Sequence, residues 1–349
     1  MLLSKTPLDR GRVELATNLT PEEVERLVAD PDTRILQCAS PVALDTWDLL
    51  NQSLFARRPD IELRVYGFSS SVCDLSFVSK MKNVRRFSAD CLMRATGVEN
   101  VAALGDLEEL SIGIYGLDNF DFLAQIPHGI TSLSLLATKS RKPRLDLVSR
   151  FQSLRHLYIE GQQQGIEVLS ELVGLEDLTL RSIGTPNVDY ISKLPRLWSL
   201  DVKLGGIKNF SAIAGNKNIK YLELWQIRGL EDISVVSSLE GLQFLFLQSL
   251  RNVTEIPDLS RLAKLRRIYL ENMKGLRDVS AICNAPALEE FIHISARNIA
   301  PESYKCLMDM PTLRQVGVGF GARRRNEDFE NLAARSGKSK YRPTKFVFQ

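Results

Sequence analysis

Eight stretches of this chain carry one spacing of apolar positions: LEELSI (107–112), ITSLSL (130–135), LRHLYI (154–159), LEDLTL (175–180), LWSLDV (197–202), IKYLEL (219–224), LQFLFL (242–247) and LRRIYL (265–270). Each reads apolar, two mostly polar residues, apolar, variable, apolar, and all 24 apolar slots are filled. Their starts step by 23, 24, 21, 22, 22, 23 and 23 residues. Over the last three positions two apolar residues flank a variable one, the period-two spacing of a strand with one face inward. A fixed period of this length marks a stacked repeat architecture. Weaker copies extend the phase outward: VRRFSA (84–89) and the run around Ile61, Leu63 and Val65 on one side, LEEFIH (288–293) and LRQVGV (313–318) on the other. His293 occupies a slot that should be apolar and is expected to be a satisfied buried histidine. The phase gives about eleven repeats.

A second, softer consensus lies between the strands. It appears as CDLSFVSKM (73–81), DNFDFLAQI (118–126), PNVDYISKL (186–194), KNFSAIAGN (208–216), EDISVVSSL (231–239) and RDVSAICNA (277–285). This predicts a short helical or 3₁₀ turn whose Ser or Asp caps it by accepting a backbone N–H. So short a turn forms only by packing on its strands. At the chain's start, Thr20, Pro21 and Glu23 predict a capping box opening a helix to about Ala29. A strand at Ile35–Cys38 and a helix over 42–56 should follow, and a helix over 327–335 with a strand over 345–348 should close the array.

The LxxLxL strand followed by this turn resembles the leucine-rich repeats, nearest the 22–23-residue class of internalins and of a phosphatase-regulating family. The resemblance covers roughly residues 60–318. It implies an α/β solenoid, a curved horseshoe with a parallel sheet on the concave face and short helices or 3₁₀ turns on the convex face. The expected organisation is an N-terminal α/β cap (1–59), the repeats (60–318) and a basic C-terminal cap (319–349). One departure stands out. The family carries Asn or Cys three residues after the last strand leucine, where it ladders the loop backbones. Here those positions hold Tyr115, Thr138, Gln162, Ile183, Gly205, Ile227, Leu250 and Met273, so the loops must satisfy their hydrogen bonds differently.

Composition narrows the function classes. With 349 residues, 44% hydrophobic, 25% charged and a net charge of +3, the chain is neither disordered nor polybasic. No apolar run approaches the roughly 20 residues of a spanning helix. Ser4, Lys5, Pro7, Asp9 and Arg10 break any signal-peptide core at the start, so a cytoplasmic protein is expected. Cys38, Cys73, Cys91, Cys283 and Cys306 form no close pair and are expected to be free buried thiols.

Catalytic chemistry, cofactors and metals are not expected. Gly337-Lys338-Ser339 lacks the phosphate loop's upstream glycine, since Leu332 stands there. Gly317, Gly319 and Gly321 follow a strand but lack the spaced third glycine of a dinucleotide site. His128, His156 and His293 have no partner at ligand spacing. About 30 residues follow the last repeat strand, too few for the catalytic domain of secreted leucine-rich-repeat ubiquitin ligases. The segment 319–349 holds eight basic residues (Arg323, Arg324, Arg325, Arg335, Lys338, Lys340, Arg342, Lys345) against three acidic ones. A solvated cap face is the expected role, and nucleic acid is not the expected partner.

With the leucine slots inward, alternate strand residues face outward. From residue 154 onward these include Tyr158, Arg181, Asp201, Lys203, Tyr221, Glu223, Trp225, Phe244, Phe246, Arg267, Tyr269 and Glu271. Tyr221, Trp225, Phe244, Phe246 and Tyr269 would form one exposed aromatic patch across three strands, rimmed by the charged residues. Such patches anchor protein partners. The expectation is a non-enzymatic protein-recognition module, monomeric when unbound and with no membrane role. Two narrower forms are a bacterial immunity or antitoxin-type protein that blocks a toxin, and a regulatory or substrate-selecting subunit of a separate enzyme.

Overall fold

The computed structural model describes residues 3–5, 11–15, 19–68 and 72–349. Pro7, Asp9 and Arg10, which broke the apolar start, lie outside them. The chain divides into two compact units, Met1–Gly174 and Leu175–Gln349, so the boundary falls within the repeats.

In the first unit the strands Arg12–Leu15, Ile35–Cys38, Glu62–Tyr66, Arg86–Leu92, Glu109–Ile114, Ser132–Leu135 and His156–Glu160 pair in parallel in chain order. Leu3–Lys5 adds to Arg12–Leu15 in the antiparallel sense. The sheet thus includes the strand Ile35–Cys38 expected in the N-terminal segment, and Arg12–Leu15 before it. Helix Pro21–Ala29 opens with the reciprocal cap: the Thr20 N–H donates to Glu23 at 2.9 Å and the Glu23 N–H to the Thr20 hydroxyl at 3.3 Å. The helix expected over 42–56 is an α-helix, Leu44–Leu49, continued by a π-helical stretch, Leu50–Phe55.

In the second unit Asp177–Arg181, Ser199–Lys203, Tyr221–Trp225, Phe244–Gln248, Arg267–Glu271, Glu290–Ile294, Gln315–Val318 and Ser339–Lys340 are parallel neighbours in chain order. Register is one to one. Leu178, Leu200, Leu222, Leu245, Ile268 and Phe291 form one fully buried column, and Leu180, Val202, Leu224, Leu247, Leu270 and His293 another. His293 accepts the core position by sharing a 2.7 Å hydrogen bond with the Tyr304 hydroxyl, and burial pulls its pKa down to about 4, which keeps it neutral.

The turns behind the strands are 3₁₀, as at Ser76–Lys80, Asp121–Gln125, Ser234–Ser238 and Ser280–Asn284. Their caps differ from the expected ones. The Ser or Asp of the consensus does not accept the capping bond; its own N–H donates to the polar side chain two residues earlier. Ser76 donates to Asp74, Asp121 to Asn119, Ser211 to Asn209, Ser234 to Asp232 and Ser280 to Asp278, at 2.7–3.0 Å. An Asx turn forms because the short acidic or amide side chain reaches the N–H two residues further on.

The missing Asn ladder is replaced by the main chain. After each of the first six strands of the second unit one residue turns left-handed: Ser182, Leu204, Gln226, Ser249, Asn272 and Ser295 have φ of 49–60°. The N–H groups of the first five donate to the next strand's last carbonyl, Ser182 to Lys203 through Asn272 to Ile294, at 2.8–2.9 Å. Non-glycine residues pay a conformational cost there, and the added rung offsets it. The Asn positions are then free to be core, and Ile183, Leu250 and Met273 are fully buried.

Two expectations fail near the C-terminus. The closing helix starts earlier, at Arg323–Arg335, and residues 345–348 form no strand. The cysteine reading also fails: Cys283 and Cys306 are disulfide-bonded, Cα atoms 5.9 Å apart, and Cys91 is exposed; Cys38 and Cys73 are buried free thiols. Their separation of 23 residues is one repeat, which sets equivalent positions of stacked turns side by side. Alkylation of the denatured, unreduced chain should therefore modify three cysteines and all five after reduction; five without reductant would disprove the pairing.

Candidate functional site

The outward residues of the second unit stand in three rows, with neighbours about 4.8 Å apart across strands. The first is Asp177, Ser199, Tyr221, Phe244, Arg267 and Glu290; the second Thr179, Asp201, Glu223, Phe246, Tyr269 and Ile292; the third Arg181, Lys203, Trp225, Gln248, Glu271 and Ile294. The open face therefore gathers eleven of the twelve candidate residues. Tyr158 lies in the first unit, on His156–Glu160, where its hydroxyl donates to Glu160 at 3.1 Å.

Charge and rings have sorted themselves along these rows. Towards Asp177 the face is ionic. Lys203 Nζ bridges Asp201 at 2.5 Å and Glu223 at 3.3 Å, and the Tyr221 hydroxyl donates to Glu223 at 2.5 Å. Burial, reinforced by the Glu223 carboxylate, lifts Asp201 up to about 7 despite Lys203. Burial works against the Lys203 ammonium, but the two carboxylates outweigh it and its pKa is raised. Burial and Glu223 also push the Tyr221 hydroxyl up, so it remains a donor. Further along, Phe246 stacks on Tyr269 with centroids 4.8 Å apart, and Lys203 Nζ lies 5.7 Å from the Trp225 ring centre. Phe246, Tyr269 and Trp225 are half-buried.

The single exposed aromatic patch expected from the sequence is divided. Tyr221 and Phe244 meet edge to face at 5.2 Å and lie against the chain's own segment 341–349. Phe348 packs 5.1 Å from Trp198 and 6.1 Å from Tyr221, and Phe346 packs 5.3 Å from Phe244. Arg267, expected as an exposed rim charge, is buried at 4% exposure. It pairs with Glu290 at 2.5 Å, donates to the Thr344 carbonyl and hydroxyl at 3.2 and 3.1 Å, and lies 5.0 Å from the Phe346 ring centre. Sequence reasoning missed Trp198, Gln243 and Arg266, which precede the first row by one residue, together with Phe346 and Phe348. The one signal for the last two is their aromatic alternation around Val347.

Among the described residues no group of three or more His, Cys, Asp and Glu is placed to hold a metal, and no helix is long and apolar enough to cross a membrane. The ionic cluster carries a pH signature. The folded chain keeps the Asp201 proton that the unfolded chain releases, so this group makes stability fall as pH rises from about 4 to about 7. Asp201→Asn removes that dependence. Urea unfolding at pH 5 and pH 8 should show the variant gaining on the wild type by about 1–2 kcal/mol across that interval; a constant difference would refute the assignment.

No protein-family model matches the sequence, and no curated protein matches it. Solved structures do. An internalin (inlF) from Listeria monocytogenes superposes with a TM-score of 0.59 at 18% identity, covering 87% of this chain and 86% of that one. TLR13 in its complex with ssRNA13 gives 0.53 at 15% identity, over 89% of this chain and 50% of that one. A leucine-rich-repeat protein of Leptospira interrogans gives 0.48 at 15% identity, over 93% of each chain. At such identities the likeness is one of fold. The in-register parallel strands, the 3₁₀ turns behind them and the likeness to the internalin and to TLR13 agree that the chain has the leucine-rich-repeat fold, an α/β solenoid.

Proposed function

We propose that this chain is a non-enzymatic protein-recognition module that binds a folded partner on the open, concave face of residues 175–349. The observation that carries the reading is the half-buried Phe246–Tyr269 stack beside Trp225, bordered by Lys203, Glu223 and Glu271. Rigid aromatics lose little conformational freedom on burial, and a charged border excludes wrong partners. The anchors on this reading are Trp225, Phe246 and Tyr269; Tyr221, Phe244 and Arg267 act through the segment that covers them.

Two features bear on narrower forms. The RNA held by TLR13 brings nucleic acid into consideration, but four basic residues of the C-terminal region are already engaged. Arg323 pairs with Glu327 at 2.7 Å and Lys340 with Glu330 at 2.8 Å, while Arg325 and Lys338 donate to the carbonyls of Ile299 and Met310 at 2.7 and 2.5 Å. A protein partner is the better fit. The Cys283–Cys306 bond favours an oxidising compartment over the cytoplasm expected from the first ten residues. A toxin-blocking protein and a substrate-selecting subunit are both forms of this module, and they differ in whether the partner is inhibited or delivered.

The test is affinity capture from the native source with the wild type and with Trp225→Ala/Phe246→Ala. One protein should be lost from the variant, and each single change should weaken its binding by more than about 1 kcal/mol without lowering the melting temperature appreciably. Equal recovery by both baits would sink the proposal, as would nucleic acid released by moderate salt.

A further inference from the structure

Residues 341–349 are bound to this chain as a ligand is bound to a receptor. Beyond the Tyr341 N–H, which donates to the Val316 carbonyl at 3.1 Å, the segment makes no main-chain pairing with the sheet among the described residues. Side chains hold it instead. The Arg342 N–H donates to the Gln315 side chain at 3.0 Å, and Arg267 grips Thr344. Arg266 donates to the Val347 carbonyl at 2.6 Å and lies over the Phe346 ring at 4.7 Å. Gln243, itself buried, holds both main-chain groups of Gln349, donating at 2.8 Å and accepting at 2.9 Å. Between these grips Phe346 and Phe348 turn inward and Val347 outward, 69% exposed. Side-chain bonds to a peptide backbone, with seats for alternate residues, are the physics of extended-peptide recognition.

The apolar core of the repeats does not need this cover. Leu242, Leu245, Ile268 and Leu270 are fully buried between the sheet and its turns, whereas the segment touches the outward row and the residues before it. We propose that Trp198, Tyr221, Phe244, Gln243, Arg266 and Arg267 form a peptide-binding seat for an extended segment of a partner protein carrying aromatic side chains at alternate positions. Residues 341–349 are its resident occupant, which such a segment displaces. The inference rests on the open face being a protein-binding surface and extends it to a second, covered subsite. Arg266 and Gln243 hydrogen-bond main-chain groups and Arg267 the Thr344 carbonyl and hydroxyl, which leaves the sequence requirement to the two aromatic seats and that hydroxyl.

A tethered occupant competes at an effective concentration in the millimolar range. A free peptide should therefore bind weakly until the tether's aromatics are removed. The probe is a fluorescein-labelled synthetic peptide of residues 341–349, read by anisotropy against the full chain. Phe346→Ala/Phe348→Ala should bind it at least tenfold more tightly than the wild type does, and Trp198→Ala added to that variant should weaken binding at least fivefold. Equal affinity for wild type and variant would overturn the proposal, and so would no binding to a variant that is folded by circular dichroism. Concentration-dependent dimerisation of the wild type in sedimentation, abolished by the same double change, would also overturn it by making a second copy the occupant. Should the double variant not fold, a protease site inserted between Arg342 and Pro343 repeats the measurement on native chain, where cutting should admit the probe. Capture through Trp225 and Phe246 reads a different part of the face, so the seat and the partner-binding reading fail separately.

Discussion

The constraint on which this structure depends is the one-to-one register of its parallel strands, unbroken from Asp177–Arg181 to Ser339–Lys340. Each strand hydrogen-bonds to the equivalent residues one repeat away, so side chains at equal positions are held about 4.8 Å apart whatever they are. For leucine this is an asset, since the columns headed by Leu178 and Leu180 bury completely. For a polar or reactive residue it is an imposition, and the chain must find each one a partner in the next repeat. Asn272 donates to Ser249, 23 residues earlier, at 2.9 Å, and Cys306 meets Cys283 by the same logic. His293 has no polar neighbour in its column and turns to Tyr304 instead.

On the open face the same register places Asp177, Asp201 and Glu223 on successive strands. Carboxylates at such spacing repel, and the chain answers with Lys203 between two of them and a Tyr221 hydroxyl on the third side. The compensation is incomplete: Asp201 Oδ1 is buried without a hydrogen-bond partner, in keeping with a carboxyl that favours its protonated form. A few strands on, the register stacks Phe246 on Tyr269 and sets Phe244 beside Tyr221, and here proximity is favourable. One geometric rule thus produces both the strained and the adhesive parts of the face.

How much of this the sequence disclosed follows from what is periodic. The strands of the eight full repeats, their inward columns and the alternation of their outward residues were legible, because a repeat that fills every apolar slot leaves no freedom in phase. The capping bond was assigned to the wrong residue, since a consensus of Asp or Asn, apolar, Ser does not say which polar group reaches the N–H. The disulfide was overlooked because close spacing was sought, when a solenoid brings together residues one whole repeat apart. Segment 341–349 carries no period, and its contacts with Gln243, Arg266 and Arg267 span 77 to 106 residues. No local pattern announces such a contact. Arg267 consequently looked like an exposed rim charge, whereas the segment and Glu290 bury it.

Why the face can hold so irregular a set of residues is also a consequence of the architecture. In a stacked array each repeat answers only to its neighbours, and the core columns stabilise the sheet without help from the outward side chains. Outward positions are therefore released from the demands of folding, and what occupies them reflects some other demand. The left-handed residues of the backbone ladder make this plain from the opposite direction. Ser182, Leu204, Gln226, Ser249 and Asn272 differ in chemistry yet share one backbone conformation, because the ladder hydrogen bond requires the geometry and not the side chain. Where the backbone dictates, identity varies and shape does not. Where the backbone does not dictate, chemistry clusters, as the ionic group around Lys203, the rings around Phe246 and the arginines beneath residues 341–349 do.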